Sequence, residues 1–276
     1  MTERRIGLAL GGGGARGLAH LHALAAFDEL GARPAAIAGC SIGSLYGAGF
    51  AAGLSARELL DHTTRVLDRR ADVVGKLLKA RVGRLADMFG AGSRNPILLD
   101  AEILVPLFLP DDVPQDFEQL QIPFSAVATD FFGRAQVVFR KGPLVPAIAS
   151  SSAIPGLFRP VLHDGRTLID GAMINPLPFD VFGDAVDATL AVDVTGGPVT
   201  STKGFPNVFE TMLGATQIMQ AAIVAGKVAA RGPDALIRPR VDGVTLLDFF
   251  KTGPALRASE SAKDETKRAI ERLMQD

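Results

Sequence analysis

The chain has 276 residues, 47% of them hydrophobic and 21% charged, which suits a folded α/β protein with a sizeable core and excludes an intrinsically disordered chain. Its formal net charge of −1 provides no global basic field, so nucleic acid is not an expected partner. A single cysteine, Cys40, excludes an intrachain disulfide and fits a reducing compartment. The opening stretch "MTERRIGLALGGGG" lacks the pattern of a secretory signal, and the expectation is a soluble cytoplasmic protein.

Residues 5–10, "RIGLAL", read as a short buried strand that stops at four glycines, 11–14. A helix is expected next over "GLAHLHALAAFDELG", with Leu18, Leu21 and Leu24 near one face and Gly31 at its end. "PAAIAGC" reads as a second strand and 43–53 as a helix of small residues. Strand, glycine loop, helix, strand, tight turn and helix are the grammar of a parallel sheet covered on both faces.

Residues 55–118 are more charged and largely helical in pattern, an insertion within a single domain spanning 1–276. A basic stretch at 65–84 with apolar residues at helical spacing reads as a solvated face opposite a core face, with contact to anionic lipid as the rival reading. "IPFSAVATD" and "AQVVF" predict a hairpin, and "DATLAVDV" a further buried strand. Residues 207–230, with Met212, Leu213, Ile218, Met219 and Ile223, predict a long helix, read first as core and otherwise as the lining of a channel or a dimer face. "TGGPVTSTKGFP" (195–206) reads as a mobile loop, and "SESAKDETKRAIERL" as an exposed closing helix.

Three places can carry chemistry. Gly12, Gly14 and Gly17 satisfy G-x-G-x-x-G, but no carboxylate lies between Ala32 and Ser55 to hold a ribose, so the dinucleotide fingerprint is incomplete. Gly17 is followed by Leu18-Ala19, not Lys-Ser/Thr, which removes the P-loop reading. What remains is a cluster of backbone N–H groups at a helix start, able to hold a phosphate or an oxyanion. Gly39-Cys40-Ser41-Ile42-Gly43 then matches G-x-S-x-G on the next strand, the turn that presents a serine hydroxyl. The uncharged run 37–53 is too rich in glycine for a membrane span and reads as strand, elbow and packed helix. Cys40 is a rival nucleophile, but filling a small buried space suits it better.

A serine needs a base. The histidines are His20, His22, His62 and His163, and only His163 lies late enough for a triad of the usual order, though a surface or loop role suits it better. "TLIDGAMINPLP" delivers Asp170 at the end of an apolar strand, and a partly buried carboxylate can act directly as base in a Ser–Asp dyad.

Together, Gly12-Gly13-Gly14-Ala15-Arg16-Gly17, Gly39-Cys40-Ser41-Ile42-Gly43 and Asp170-Gly171-Ala172 resemble the patatin-like phospholipase family, to which the neuropathy target esterase catalytic domain is related. The likeness runs over roughly residues 5–195. It implies a three-layer α/β/α fold with a mostly parallel central sheet. It also implies a serine acyl hydrolase with Ser41 as nucleophile, Asp170 as general base and the amides of Gly12, Gly13 and Gly14 as oxyanion donors. Arg16 would brace the loop or meet a lipid phosphate, and Gly39 and Gly43 would permit the elbow. Neither metal nor cofactor is required. The implied substrates are phospholipids, lysophospholipids or other acyl esters, with peripheral membrane contact. A catalytically silent lipid-binding or regulatory protein on the same fold is the alternative.

Overall fold

The computed structural model describes residues 4–69, 75, 81–82, 98–199, 204–241 and 243–275. Most of the basic stretch at 65–84 therefore lies outside the described residues.

One eight-stranded sheet organises the chain: β1 Ile6–Leu10, β2 Ala36–Cys40, β3 Phe124–Asp130, β4 Ala135–Phe139, β5 Val161–His163, β6 Arg166–Asp170, β7 Ala188–Val192 and β8 Ala235–Ile237. The order β8-β7-β1-β2-β3 is parallel throughout, while β4 and β6 lie antiparallel to β3, and β5 pairs antiparallel with β6. The expected "FFGR" hairpin is the β3–β4 pair.

Side chains alternate across a strand, so β1 and β7 face two cores. Leu8, Leu10, Leu190 and Val192 join the large cluster with Leu21, Leu24 and Phe27 of α1 (His20–Leu30) and Phe50 of α2 (Ile42–Ala51). Ala9 and Ala191 point the other way, into a smaller cluster with Leu177, Phe179 and Val224. The helix α1 ends where expected, because Gly31 adopts a left-handed φ of 63° and returns its N–H to the carbonyls of Phe27 and Asp28. It is preceded by a 3-10 turn over Gly14–Ala19, so the helix begins later than its apolar pattern suggests.

Helix α3, Ala56–Asp68, opens with a capping box between Ser55 and Glu58. Then come α4 (Ala101–Phe108), α5 (Leu144–Ser151), α6 (Val208–Arg231), α7 (Thr252–Ala258) and α8 (Ser261–Gln275). Two expectations need correction. The closing helix α8 is not simply exposed: Ala262, Thr266, Ala269, Ile270 and Leu273 are buried, and Lys263 and Lys267 pair with Glu29 of α1. Helix α6 is not a core helix. Its buried face is Leu213, Gly214, Gln217, Gln220 and Val224, while Met212, Ile218 and Met219 are exposed. Polar anchors drawn inward, described below, set that rotation.

Candidate active site

The register of β3 explains how two distant segments meet. Along one edge β3 takes β2, with Cys40 opposite Val127, and immediately beyond takes β6, with Asp170 opposite Ala128. These strands run toward each other, so their C-terminal ends abut on neighbouring residues of β3. Gly171 is required there, since a Cβ would sit 2.1 Å from the Val127 carbonyl oxygen. The hydroxyl of Thr129 donates to the Asp170 carbonyl at 2.9 Å and secures the junction.

Ser41 follows β2 as the N-cap of α2, with φ 53° and ψ −123°. A non-glycine residue held there is strained, and such strain concentrates at functional turns. The turn is tight enough that a Cβ on Gly43 would lie 2.2 Å from the Leu10 carbonyl oxygen, and one on Gly39 2.5 Å from the Cα of Ser44. The amide of Ser41 donates to Ser151 Oγ at 2.9 Å, and Ser44 Oγ donates to the Ser41 carbonyl at 2.6 Å.

The Ser41 hydroxyl donates to Asp170 Oδ2 at 2.7 Å. The other carboxylate oxygen accepts the Ala172 amide at 2.8 Å, and the Cys40 thiol lies 3.9 Å from it. Asp170 is only 2% exposed. Burial pushes its pKa up to about 6, against the hydrogen bonds from Ala172, Ser41 and Cys40 that favour the charged form. A carboxylate raised this far is a stronger base than one in water, yet still ionised at neutral pH. Cys40 itself is fully buried, and desolvation followed by the nearby Asp170 charge pushes its thiol well above the ordinary value, which removes it as a rival nucleophile. His163 packs edge-to-face on Phe139 with ring centroids 5.3 Å apart, and its Nε2 lies 3.6 Å from Asp164 Oδ2. Asp170, not a histidine, bonds the serine.

The glycine loop lies against this pair: a Cβ on Gly12 would be 3.4 Å from the Cβ of Ser41 and 3.3 Å from that of Ala172. One expected role fails. The Gly12 amide donates to the Pro176 carbonyl at 2.9 Å, so it is not available to an oxyanion. The amides of Gly13 and Gly14 have no acceptor among the described residues, and Gly14 turns through a left-handed φ of 58°. Arg16 is 2% exposed and spends its guanidinium inside the protein. It donates to the carbonyls of Val244 at 2.8 Å, Thr195 at 2.9 Å and Gly197 at 2.6 Å, and to Gln217 Oε1 at 3.1 Å. The bracing role is thus the one its contacts support. The same bonds tie down the first residues of the loop expected to be mobile and draw Gln217 of α6 inward. His20 Nε2 lies 2.8 Å from the Gly11 carbonyl oxygen, and burial lowers that imidazole to a pKa of about 4, so it is neutral at pH 7.

Sequence reasoning missed Ser151, whose contact comes from a separate helix, and the cluster behind Asp170. There Asn175 donates to Gln136 Oε1 at 2.8 Å and to Asp180 Oδ1 at 2.9 Å, and Lys227 donates to Asp180 at 2.7 Å and to Asn175 Oδ1. Lys227 is the one charged side chain between Glu210 and Arg231, a signal of an inward anchor that was available to reading.

Ser41 opens onto a cavity of about 280 Å³ walled by α2, α3, α4, the segment 152–158 and the segment 247–250, with apolar side chains throughout most of its lining. Among the described residues no group of three or more His, Cys, Asp or Glu is placed to hold a metal.

A serine on a strained strand-to-helix turn, bonded to an aspartate and facing an apolar cavity, places the chain among α/β proteins built on a hydrolase-type elbow. Comparison narrows this. The family model described as patatin-like phospholipase matches residues 8–182, and the chain belongs to that family. It is 38% identical over 213 residues to an uncharacterized NTE family protein of Mycobacterium tuberculosis strain H37Rv, covering 75% of this chain and 54% of that protein. It is 30% identical over 204 residues to patatin-like phospholipase domain-containing protein 6 of Mus musculus, covering 70% of this chain and 14% of that protein. Among solved structures, VipD from Legionella pneumophila aligns with a TM-score of 0.53 at 14% identity, over 99% of this chain and 67% of that one, a likeness of fold. The chain spans about half the length of the mycobacterial relative.

Proposed function

We propose that the chain is a serine acyl hydrolase that cleaves fatty acyl esters of phospholipids or lysophospholipids. The observation that carries this reading is the 2.7 Å bond from the Ser41 hydroxyl to Asp170 at the head of an apolar cavity. The Ser41 Oγ attacks the ester carbonyl carbon as its proton passes to Asp170 Oδ2. The negative charge that develops on the carbonyl oxygen is met by the amides of Gly13 and Gly14, held in place by Arg16 and His20. Collapse of the tetrahedral adduct expels the alcohol, which takes the proton from Asp170 and leaves an acyl-enzyme on Ser41. Water then gives its proton to Asp170 as it attacks, and the fatty acid departs as Ser41 regains its hydrogen.

The acyl chain occupies the cavity, where burial of apolar surface supplies the binding free energy, about 25 cal/mol per Å². Because such esters reside in bilayers, the proposal includes peripheral contact with a lipid surface. Leu247 and Phe250, which line the cavity and are partly exposed, are apolar side chains suited to that contact. We assign the protein to the cytoplasm, in keeping with its unpaired Cys40. Hydrolysis of short-chain p-nitrophenyl esters and of lysophospholipid vesicles tests the reading. Turnover is expected and is lost in Ser41→Ala, whereas a protein that binds these lipids without cleaving them is a silent member of the family.

A further inference from the structure

Helices α2 and α3 pack antiparallel, and their contacts form a series of rungs. At the closed end they touch: a Cβ on Gly49 would lie 2.5 Å from Leu59 Cδ2. One turn nearer the serine, Tyr46 and Thr63 face each other, their hydroxyl oxygens 3.4 Å apart. Nearer still, Ile42 and Leu67 both line the cavity. The cavity is therefore a wedge between diverging helices. Among the described residues its lining on α2 stops at Tyr46 and on α3 begins at Thr63.

We propose that the Tyr46–Thr63 pair is the floor of the acyl pocket and sets the length of acyl chain the enzyme accepts. This rests on the acyl hydrolase reading above and deepens it. Five residues separate Ser41 from Tyr46, a depth of about 7.5 Å along the helix axis. A depth of this order suits short and medium acyl chains, and a long chain must leave its end outside or force the floor apart. The floor is closely packed: Tyr46 is 3% and Thr63 5% exposed. Behind the ring lies the α2–α3 contact, so removing the ring extends the wedge toward Leu59.

The test compares p-nitrophenyl butyrate, octanoate, laurate and palmitate. Wild type is expected to peak at octanoate and to fall toward palmitate. In Tyr46→Ala the ratio of kcat/KM for laurate over octanoate rises by at least about tenfold, the discrimination that even one methylene commands in an apolar pocket. Tyr46→Phe, which keeps the ring, keeps the optimum at the wild-type length. If Tyr46→Ala does not fold, Tyr46→Leu is used, and displacement of a fluorescent fatty acid by acids of graded length from Ser41→Ala protein reads the pocket without catalysis. A length profile unmoved by either substitution, or a fall shared equally by all four esters, overturns the assignment. Turnover that persists in Ser41→Ala instead overturns the hydrolase reading beneath it, so the two failures are distinct.

Discussion

Replacement of Asp170 by asparagine separates the catalytic contribution proposed for it from its structural one. Burial raises this carboxyl from 3.8 to about 6, roughly two pKa units, which amounts to at most about 3 kcal/mol held against the charged native state. The folded pKa lies above the unfolded one. The group therefore favours folding below pH 3.8, and that contribution is lost as pH rises through about 6. At pH 8 the native protein carries a desolvated charge. Asparagine keeps the shape and an oxygen to accept the Ala172 amide, and removes the charge. Asp170→Asn is expected to melt higher than wild type at pH 8, by up to about 6–12 °C, from about 2–4 °C per kcal/mol in chains approaching this size. At pH 4 the difference should vanish. Ester turnover should fall about 10⁶-fold, as when the general base of a serine hydrolase site is lost. Scanning calorimetry at both pH values and initial rates on an octanoate ester are the assays. A variant less stable than wild type at pH 8, or one that keeps wild-type turnover, refutes the reasoning.

Two further outcomes follow from the same geometry. The acid limb of kcat/KM should fall with a midpoint near pH 6, where Asp170 takes up its proton, and a midpoint near the usual carboxylate value would exclude this residue as the base. Gly43→Ala should cost several kcal/mol or abolish folding, because the added methyl would lie 2.2 Å from a main-chain oxygen; urea denaturation or soluble yield reads this, and a variant as stable as wild type would contradict the elbow geometry.

The elbow, the Ser41–Asp170 pair and most of the sheet were legible because their determinants are local. A glycine-flanked serine after an apolar strand and an acid at the end of another each declare themselves within five residues. The partner of each amide in the glycine loop was not legible. Gly12 loses its donor to Pro176, a contact made only when the segment after Asp170 folds back over the loop. Helix α6 was misread for a related reason. Hydropathy located the helix but could not orient it, since Arg16 draws Gln217 inward while Lys227 is anchored by Asn175 and Asp180, leaving Met212, Ile218 and Met219 outside. Ser151 was hidden because a serine in an apolar helix carries no mark of the amide it will receive.

Covalent labelling with a fluorophosphonate, followed by mass spectrometry of the peptides, tests the catalytic claim most directly. The adduct is expected on Ser41 alone, absent from Ser41→Ala and formed far more slowly in Asp170→Asn. An adduct on another serine, or labelling of Asp170→Asn at the wild-type rate, would contradict a nucleophile at position 41 activated by the carboxylate beside it.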